Sequence, residues 1–189
     1  MQTEDRQLIR HVLTGSTKDF GLLLRRHAPR VRRFIGRMVT NREDAEELTQ
    51  NVFVKAYSSL GCYDEVKSDF TTWLQRIAYH EAVDYLRHGD GERPLSLDSE
   101  RGFEQVSDEE ADTPFDDMRV KRVELLKQAI LTLPHEDQLL LQLYYNDGKA
   151  LKDISFIFDR QPDYLATRLQ RIRKRLHKTI RQLEKHEKD

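Results

Sequence analysis

The sequence predicts an all-α protein of two small helical domains joined by a flexible acidic linker, the second domain carrying a helix-turn-helix. Three observations predict it. Apolar residues recur at spacings of three and four along most of the 189 residues, and no stretch alternates as a half-buried strand would. The 8 Gly and 5 Pro are few and mostly lie outside the periodic segments. Charge is divided unevenly: residues 1–90 carry 14 basic and 13 acidic side chains, 91–118 carry 2 and 10, and 119–189 carry 16 and 10. A formal net charge of −1 thus hides a basic C-terminal block behind an acidic middle. We place the first domain at 1–90, the linker at 91–118 and the second domain at 119–189.

A short helix is predicted over residues 4–13. The string Thr-Gly-Ser-Thr at 14–17 breaks it, and Ser16 or Thr17 caps the next. That second helix is predicted over 19–39, with Phe20, Leu23, Leu24, Val31, Phe34, Ile35 and Met38 as its apolar set and a kink at Pro29. Asn41 is a good cap for a third helix over 42–60, and an acidic first turn suits the positive end of its dipole. Ala45, Leu48, Val52 and either Phe53 or Tyr57 supply its apolar stripe. A loop at 61–69 precedes a fourth helix over 70–87. Periodicity then disappears to about residue 117, where Gly, Pro and acidic residues mark the linker.

The second domain opens near Met118, with Val123, Leu126, Ile130 and Leu133 as a helical stripe. Pro134 restarts the chain, and Glu136 and Asp137 acidify the first turn of a helix carrying Leu139, Leu140, Leu143 and Tyr144. A turn at 146–148 leads to a short helix over 151–158. A three-residue turn follows, and Pro162 suits the first position of the last helix. There Leu165, Leu169, Ile172, Leu176, Ile180 and Leu183 form the buried stripe.

Composition excludes several classes of function. Cys62 is the single cysteine, so no intramolecular disulfide can form and a reducing compartment fits. The first residues lack a signal peptide's charged head and apolar core, and no apolar run reaches the roughly 20 residues of a membrane span. A cytoplasmic protein without membrane insertion is expected. There is no Gly-rich phosphate loop and no Ser nucleophile elbow. His80-Glu81 begins a zinc-peptidase-like string, but Asp84 stands where the second His would be. We expect no enzyme, no catalytic residue, no metal and no cofactor, with His11, His27 and His177 as surface residues.

Two segments carry binding chemistry. A short helix, a tight turn and a long helix make a helix-turn-helix, whose second helix enters the major groove by its N-terminal part. Asp163, Tyr164, Ala166, Thr167, Arg168, Gln170 and Arg171 would then lie near bases, with Arg suited to guanine and Gln to adenine. Lys174 and Lys178 lie further along and suit phosphates. Between residues 70 and 87, Trp73, Tyr79 and Tyr85 alternate with Arg76, His80 and Arg87, a pattern that can stack on unpaired bases and hold phosphates. Trp73 fits core burial as well as base contact. On the third helix, Asp44, Glu47, Gln50 and Asn51 form an acid and amide face suited to a basic protein partner.

Taken together, Asp44-Ala-Glu-Glu-Leu-Thr-Gln-Asn-Val-Phe53, Phe70-Thr-Thr-Trp-Leu-Gln-Arg-Ile-Ala78, Asp84-Tyr-Leu-Arg87 and Leu133-Pro134 resemble the motifs of bacterial RNA polymerase sigma factors. The resemblance is to the extracytoplasmic-function (ECF) group of the sigma-70 family and covers about residues 19–87 and 119–185. It implies two helical domains, regions 2 and 4, that bind core RNA polymerase and promoter DNA. Asp44, Glu47, Gln50 and Asn51 would dock on the polymerase clamp. Trp73, Arg76, Tyr79, His80 and Arg87 would meet the −10 element, where a base is flipped as the duplex melts. Thr167, Arg168, Gln170, Arg171 and Lys174 would meet the −35 element. The resemblance also implies an anti-sigma partner and an acidic linker threaded through the polymerase cleft as a polyanion. Ala166 stands where a basic contact is usual, His80 where Asn is common, Arg160-Gln-Pro-Asp163 where the turn is usually small, and Phe156 and Phe158 make the preceding helix unusually aromatic. Two other functions fit the residues: a stand-alone helix-turn-helix regulator of duplex operators, and a protein that only sequesters polymerase.

Overall fold

A computed structural model describes residues 2–88 and 114–186, and no strand occurs among them. The first group of helices is α1 (Gln2–Leu13), α2 (Thr17–Ile35), α3 (Arg42–Ser59), a 3-10 turn at Leu60–Cys62, and α4 (Phe70–His88). Gly15, at φ +107, makes the turn after α1 in a backbone region that side chains disfavour. Ser16 takes the cap position of α2, although its side chain makes no capping bond. Asn41 does cap α3: its Oδ1 accepts from the backbone N–H of Glu43 at 2.9 Å and of Asp44 at 3.4 Å. Such a cap is worth about 1 kcal/mol.

α2 runs through Pro29 but ends at Ile35, short of the expected residue 39. The chain turns at 36–38 and folds Met38 and Val39 back into the core. The core is filled by Leu23, Ile35, Val52, Ala56, Leu74, Ala78 and Ala82, all fully buried. Phe53 completes the stripe of α3. Tyr57 stays 48% exposed and meets Phe20 edge-on at 4.8 Å.

His27 corrects a surface expectation. It is buried, and its Nε2–H donates to Asp5 Oδ2 at 3.1 Å, while Arg26 donates to Asp5 Oδ1 at 2.5 Å. Burying an unpaired carboxylate is costly, so the His and Arg together make Asp5 tolerable and tie α1 onto α2. Burial pushes the His27 pKa down and outweighs the upward pull of Asp5.

The second group is α5 (Pro114–Leu131), α6 (His135–Leu141), a π-helical segment at Gln142–Asn146, α7 (Leu151–Phe158) and α8 (Pro162–His186). α5 begins inside the stretch expected to be linker, and residues 91–113 of that stretch lie outside the described residues. Its expected stripe holds in its second half only: Leu133 is buried and Ile130 packs against the core, but Val123 and Leu126 are exposed, and Leu125 and Ala129 are buried in their place. α8 follows its pattern: Leu165, Leu169, Ile172 and Leu176 are buried, and Ile180 packs at the edge of the same core. Asp159 ends α7 in the left-handed region at φ 53, a conformation that Asp tolerates better than most residues.

Candidate nucleic-acid interface

α7 and α8 form the helix-turn-helix, and the stripe of α8 decides which of its side chains face out. Thr167, Gln170, Arg171 and Lys174 are exposed, as are Tyr164 and Lys178. Arg168 is different. Its Nε donates to Asp137 Oδ1 at 2.6 Å and an Nη2 to Glu136 Oε2 at 2.7 Å. It clamps the first turn of α6 onto α8. Burial alone would push the Glu136 carboxyl up, but the bonds from Tyr79 and Arg168 outweigh it and hold the pKa below the usual range. The Arg168 pKa is raised by the same pairs against the effect of burial, so the two partners agree in direction. Of the expected major-groove residues, Arg168 is therefore engaged inside the protein and the other four are free on its surface.

On α4 the expected residues separate in the same way. Trp73 is 9% exposed and packs in a ring cluster, 5.6 Å from Phe70 and 5.4 Å from Tyr63. It is core in this structure, a correction to its placement among base contacts. Burial and the nearby Asp69 and Glu65 charges push the Tyr63 hydroxyl up to about 12. Arg87 and His80 are exposed. The His80 pKa is lowered, first by partial burial and then by the Arg76 charge, so it is a neutral side chain at pH 7. Tyr85 does not face outward to stack: its hydroxyl donates to Asp44 Oδ2 at 2.5 Å, joining α4 to α3.

Tyr79 and Arg76 are covered by the second domain. The Tyr79 ring stacks on Phe158 at 4.5 Å with 6° between planes, and its hydroxyl donates to Glu136. Burial, then the Glu136 bond and charge, raise its pKa. Arg76 lies 4.9 Å over the Phe156 ring and donates to Asp159 Oδ1 at 3.0 Å. Further along the seam Lys149 donates to Thr72 Oγ1 at 3.2 Å. Arg37 holds Asp147 by two bonds, at 2.6 and 2.9 Å. Sequence reasoning missed Arg37, Asp147, Phe158 and Asp159 as cross-domain partners. The aromatic content of α7 was the one visible signal.

The acid and amide face of α3 is present but unequal. Glu47, Gln50 and Asn51 are exposed and adjacent, and Val54 extends the same face at 68% exposure. Asp44 is half-buried and occupied by Tyr85. Among the described residues no group of three or more His, Cys, Asp or Glu could hold a metal, and no helix is long and apolar enough to cross a membrane.

An all-α chain with a helix-turn-helix and an outward basic and amide face has the architecture of a DNA-binding protein. Residues 23–91 match the family model of sigma-70 region 2. The chain is 30% identical over 188 residues to the ECF RNA polymerase sigma-E factor of Haemophilus influenzae, covering 96% of this chain and 98% of that one. It is 28% identical over 191 residues to the ECF RNA polymerase sigma factor SigW of Bacillus subtilis, covering 97% and 100%. Two solved structures share the fold. CnrH, in complex with the cytosolic domain of CnrY, superposes with a TM-score of 0.59 at 19% identity, over 92% of this chain and 95% of that one. The sigma factor RpoE of Bartonella quintana, in complex with the anti-sigma factor NepR, gives 0.58 at 20% identity, over 87% and 98%. The protein belongs to the ECF RNA polymerase sigma factors, and it is a transcription initiation factor that directs RNA polymerase to promoters.

Proposed function

We propose that the chain divides this task between its two ends. Residues 1–90 dock on core polymerase and engage the −10 element. Residues 119–189 read the −35 element. Residues 91–118 connect them as a polyanionic segment in the polymerase cleft. The observation that carries the reading is the outer face of α8. Its apolar stripe and Arg168 are spent inside, yet Thr167, Gln170, Arg171 and Lys174 remain together on the surface. Gln170 and Arg171 have the donors and acceptors that discriminate adenine and guanine, and Lys174 meets phosphate.

On the first domain, Arg76, His80 and Arg87 are the −10 contacts, supported from beneath by Trp73. Tyr79 joins them once the second domain has moved away. Opening the duplex costs the unstacking of a base, and a pocket that receives the flipped base offsets that cost. Glu47, Gln50 and Asn51 dock on a basic polymerase surface, with Asp44 at the margin bracing α4. The protein acts in the cytoplasm without covalent chemistry, and an anti-sigma protein is its regulatory partner, as NepR is bound to RpoE in the Bartonella quintana structure.

Size-exclusion chromatography with core polymerase tests the reading. The chain should co-elute with core and support initiation on DNA selected by the reconstituted holoenzyme. Glu47→Lys should weaken that complex, and more so at low salt, because exposed charges attract most when unscreened. A chain that neither co-elutes nor supports initiation is a stand-alone regulator instead.

A further inference from the structure

A cavity of about 570 Å³ opens where α1, α2, the start of α4 and the chain before α7 meet. None of the residues assigned above to DNA or to polymerase lines it. Arg30, Arg33 and Arg37 recur at spacings of three and four, so α2 presents one row of guanidinium groups to it. Lys149 adds an ammonium from the second domain, and the buried Phe34 and Phe70 supply an apolar wall. The cavity is short of negative charge. Of its four carboxylates, Asp5 is held by Arg26 and His27, Glu65 by Arg6 at 2.9 Å, and Asp147 by Arg37, while Asp69 accepts only the backbone N–H of Thr72 at 2.6 Å. Arg30 reaches only the Thr71 hydroxyl at 3.4 Å and Lys149 only the Thr72 hydroxyl at 3.2 Å, and Arg33 has no partner among the described residues. Three cations are thus left against one carboxylate without an ion pair. Gln75 is an independent sign of a missing ligand. It lines the same cavity, is only 5% exposed, and its Oε1 finds no donor. A buried acceptor without a partner is costly, so an N–H or O–H belongs beside it.

We propose that this cavity binds a small phosphorylated molecule that also carries a hydrogen-bond donor, of the class of nucleotides. Arg30, Arg33 and Lys149 hold its phosphates, since guanidinium and ammonium groups make their strongest hydrogen bonds to such oxygens. Gln75 accepts from its hydroxyl or amino group. Phe34 and Phe70 pack against its ring or sugar carbons. The volume falls within the range of about 300–1,000 Å³ that is usual for small-molecule sites. The Arg6–Glu65 pair ties α1 to the loop before α4, and the Arg37–Asp147 pair ties α2 to the second domain. Walls joined in this way favour a free molecule that ends inside the cavity over a continuous strand that must pass through it.

Isothermal titration of the full chain at low salt tests the site, with ADP, inorganic pyrophosphate and adenosine as probes. ADP should bind, pyrophosphate should bind more weakly, and adenosine should not bind measurably. Salt should weaken both anions. Arg30→Gln with Arg33→Gln should weaken ADP and pyrophosphate alike, by roughly tenfold or more. Gln75→Leu should remove the advantage of ADP over pyrophosphate and leave pyrophosphate unchanged. Gln75 is buried, whereas both arginines are exposed, so the arginine variant keeps its fold and decides the matter even if Gln75→Leu does not fold. No binding of either anion, or binding that the arginine substitutions leave unchanged, would overturn the site. Equal affinity for ADP and pyrophosphate in the parent chain would overturn the role of Gln75. A short single-stranded DNA that displaces ADP, and loses affinity equally in the arginine variant, would overturn the small-molecule ligand and make the cavity part of the DNA surface.

Discussion

Replacing Arg168 separates a base-reading arginine from a structural one. In Arg168→Ala, Glu136 keeps only the Tyr79 hydroxyl and Asp137 loses its guanidinium partner. Each charge-assisted bond is worth about 1.5–3 kcal/mol when shielded. Asp137 is well covered, at 14% side-chain exposure, but Glu136 is 35% exposed, and solvent screening reduces its share. The two bonds also share one guanidinium and are not additive. A loss of about 2 kcal/mol follows, and for a domain of this size that is a fall of roughly 8–16 °C in Tm. Circular dichroism follows both helical groups, whereas fluorescence follows the single tryptophan, Trp73, in the first. The early transition should therefore appear by dichroism, with the tryptophan transition less affected. Acid supplies a second measurement. The folded Glu136 carboxyl lies below its ordinary value of 4.5, so its contribution is complete above that pH and is lost as pH falls through the folded pKa. The variant should show a flatter acid limb. A variant with unchanged stability and a lost preference at one base position would refute the clamp and return Arg168 to the major groove.

Other substitutions carry equally definite outcomes. His27 is buried with its pKa lowered from 6.5, so the folded state takes up its proton later than the unfolded chain. Stability should be full above pH 6.5 and fall as the pH drops below it, and His27→Leu should remove that dependence in urea titrations followed by Trp73, whose neighbour Phe70 touches the imidazole at 5.2 Å. Asn41→Ala should cost about 1 kcal/mol through the lost cap of α3, read as a lower urea midpoint at constant m-value. Arg171→Ala should cost about 1–3 kcal/mol at one base position in promoter selection, and a uniform loss across sequences would make it a phosphate contact.

Helix positions and the stripe of α8 were legible because a single run of apolar residues leaves one possible face. α5 was not, for the same reason inverted. Val120, Val123, Leu125, Leu126, Ala129, Ile130 and Leu131 surround it, so spacing alone cannot choose between the Val123–Leu126 phase and the Leu125–Ala129 phase that packs on α8. The acid and amide face of α3 and the basic outer face of α8 were readable as surfaces, since burial of one stripe leaves the rest outside. What escaped were partners chosen in three dimensions. Asp5 lies 22 residues before His27, and Asp137 lies 31 before Arg168. No local pattern marks one arginine of a basic helix as internal. The seam was the least readable feature of all, because Arg37 and Asp147 are 110 residues apart and each looks like an ordinary surface charge.

The π-helical segment at Gln142–Asn146 sets the rotational phase of everything that follows it. A π turn holds one residue more than the α turn it replaces, and such turns arise as single-residue insertions in a regular helix. An α-helix advances about 100° per residue, so an extra residue in regular helix would rotate the downstream chain by that angle, whereas the wider turn takes it up locally. Deleting Tyr144 or Tyr145 would turn the segment into ordinary helix and leave Asp147 facing Arg37 and Lys149 facing Thr72. The same deletion a few residues earlier, within α6, has no such buffer and would swing the second domain's later helices onto a new heading.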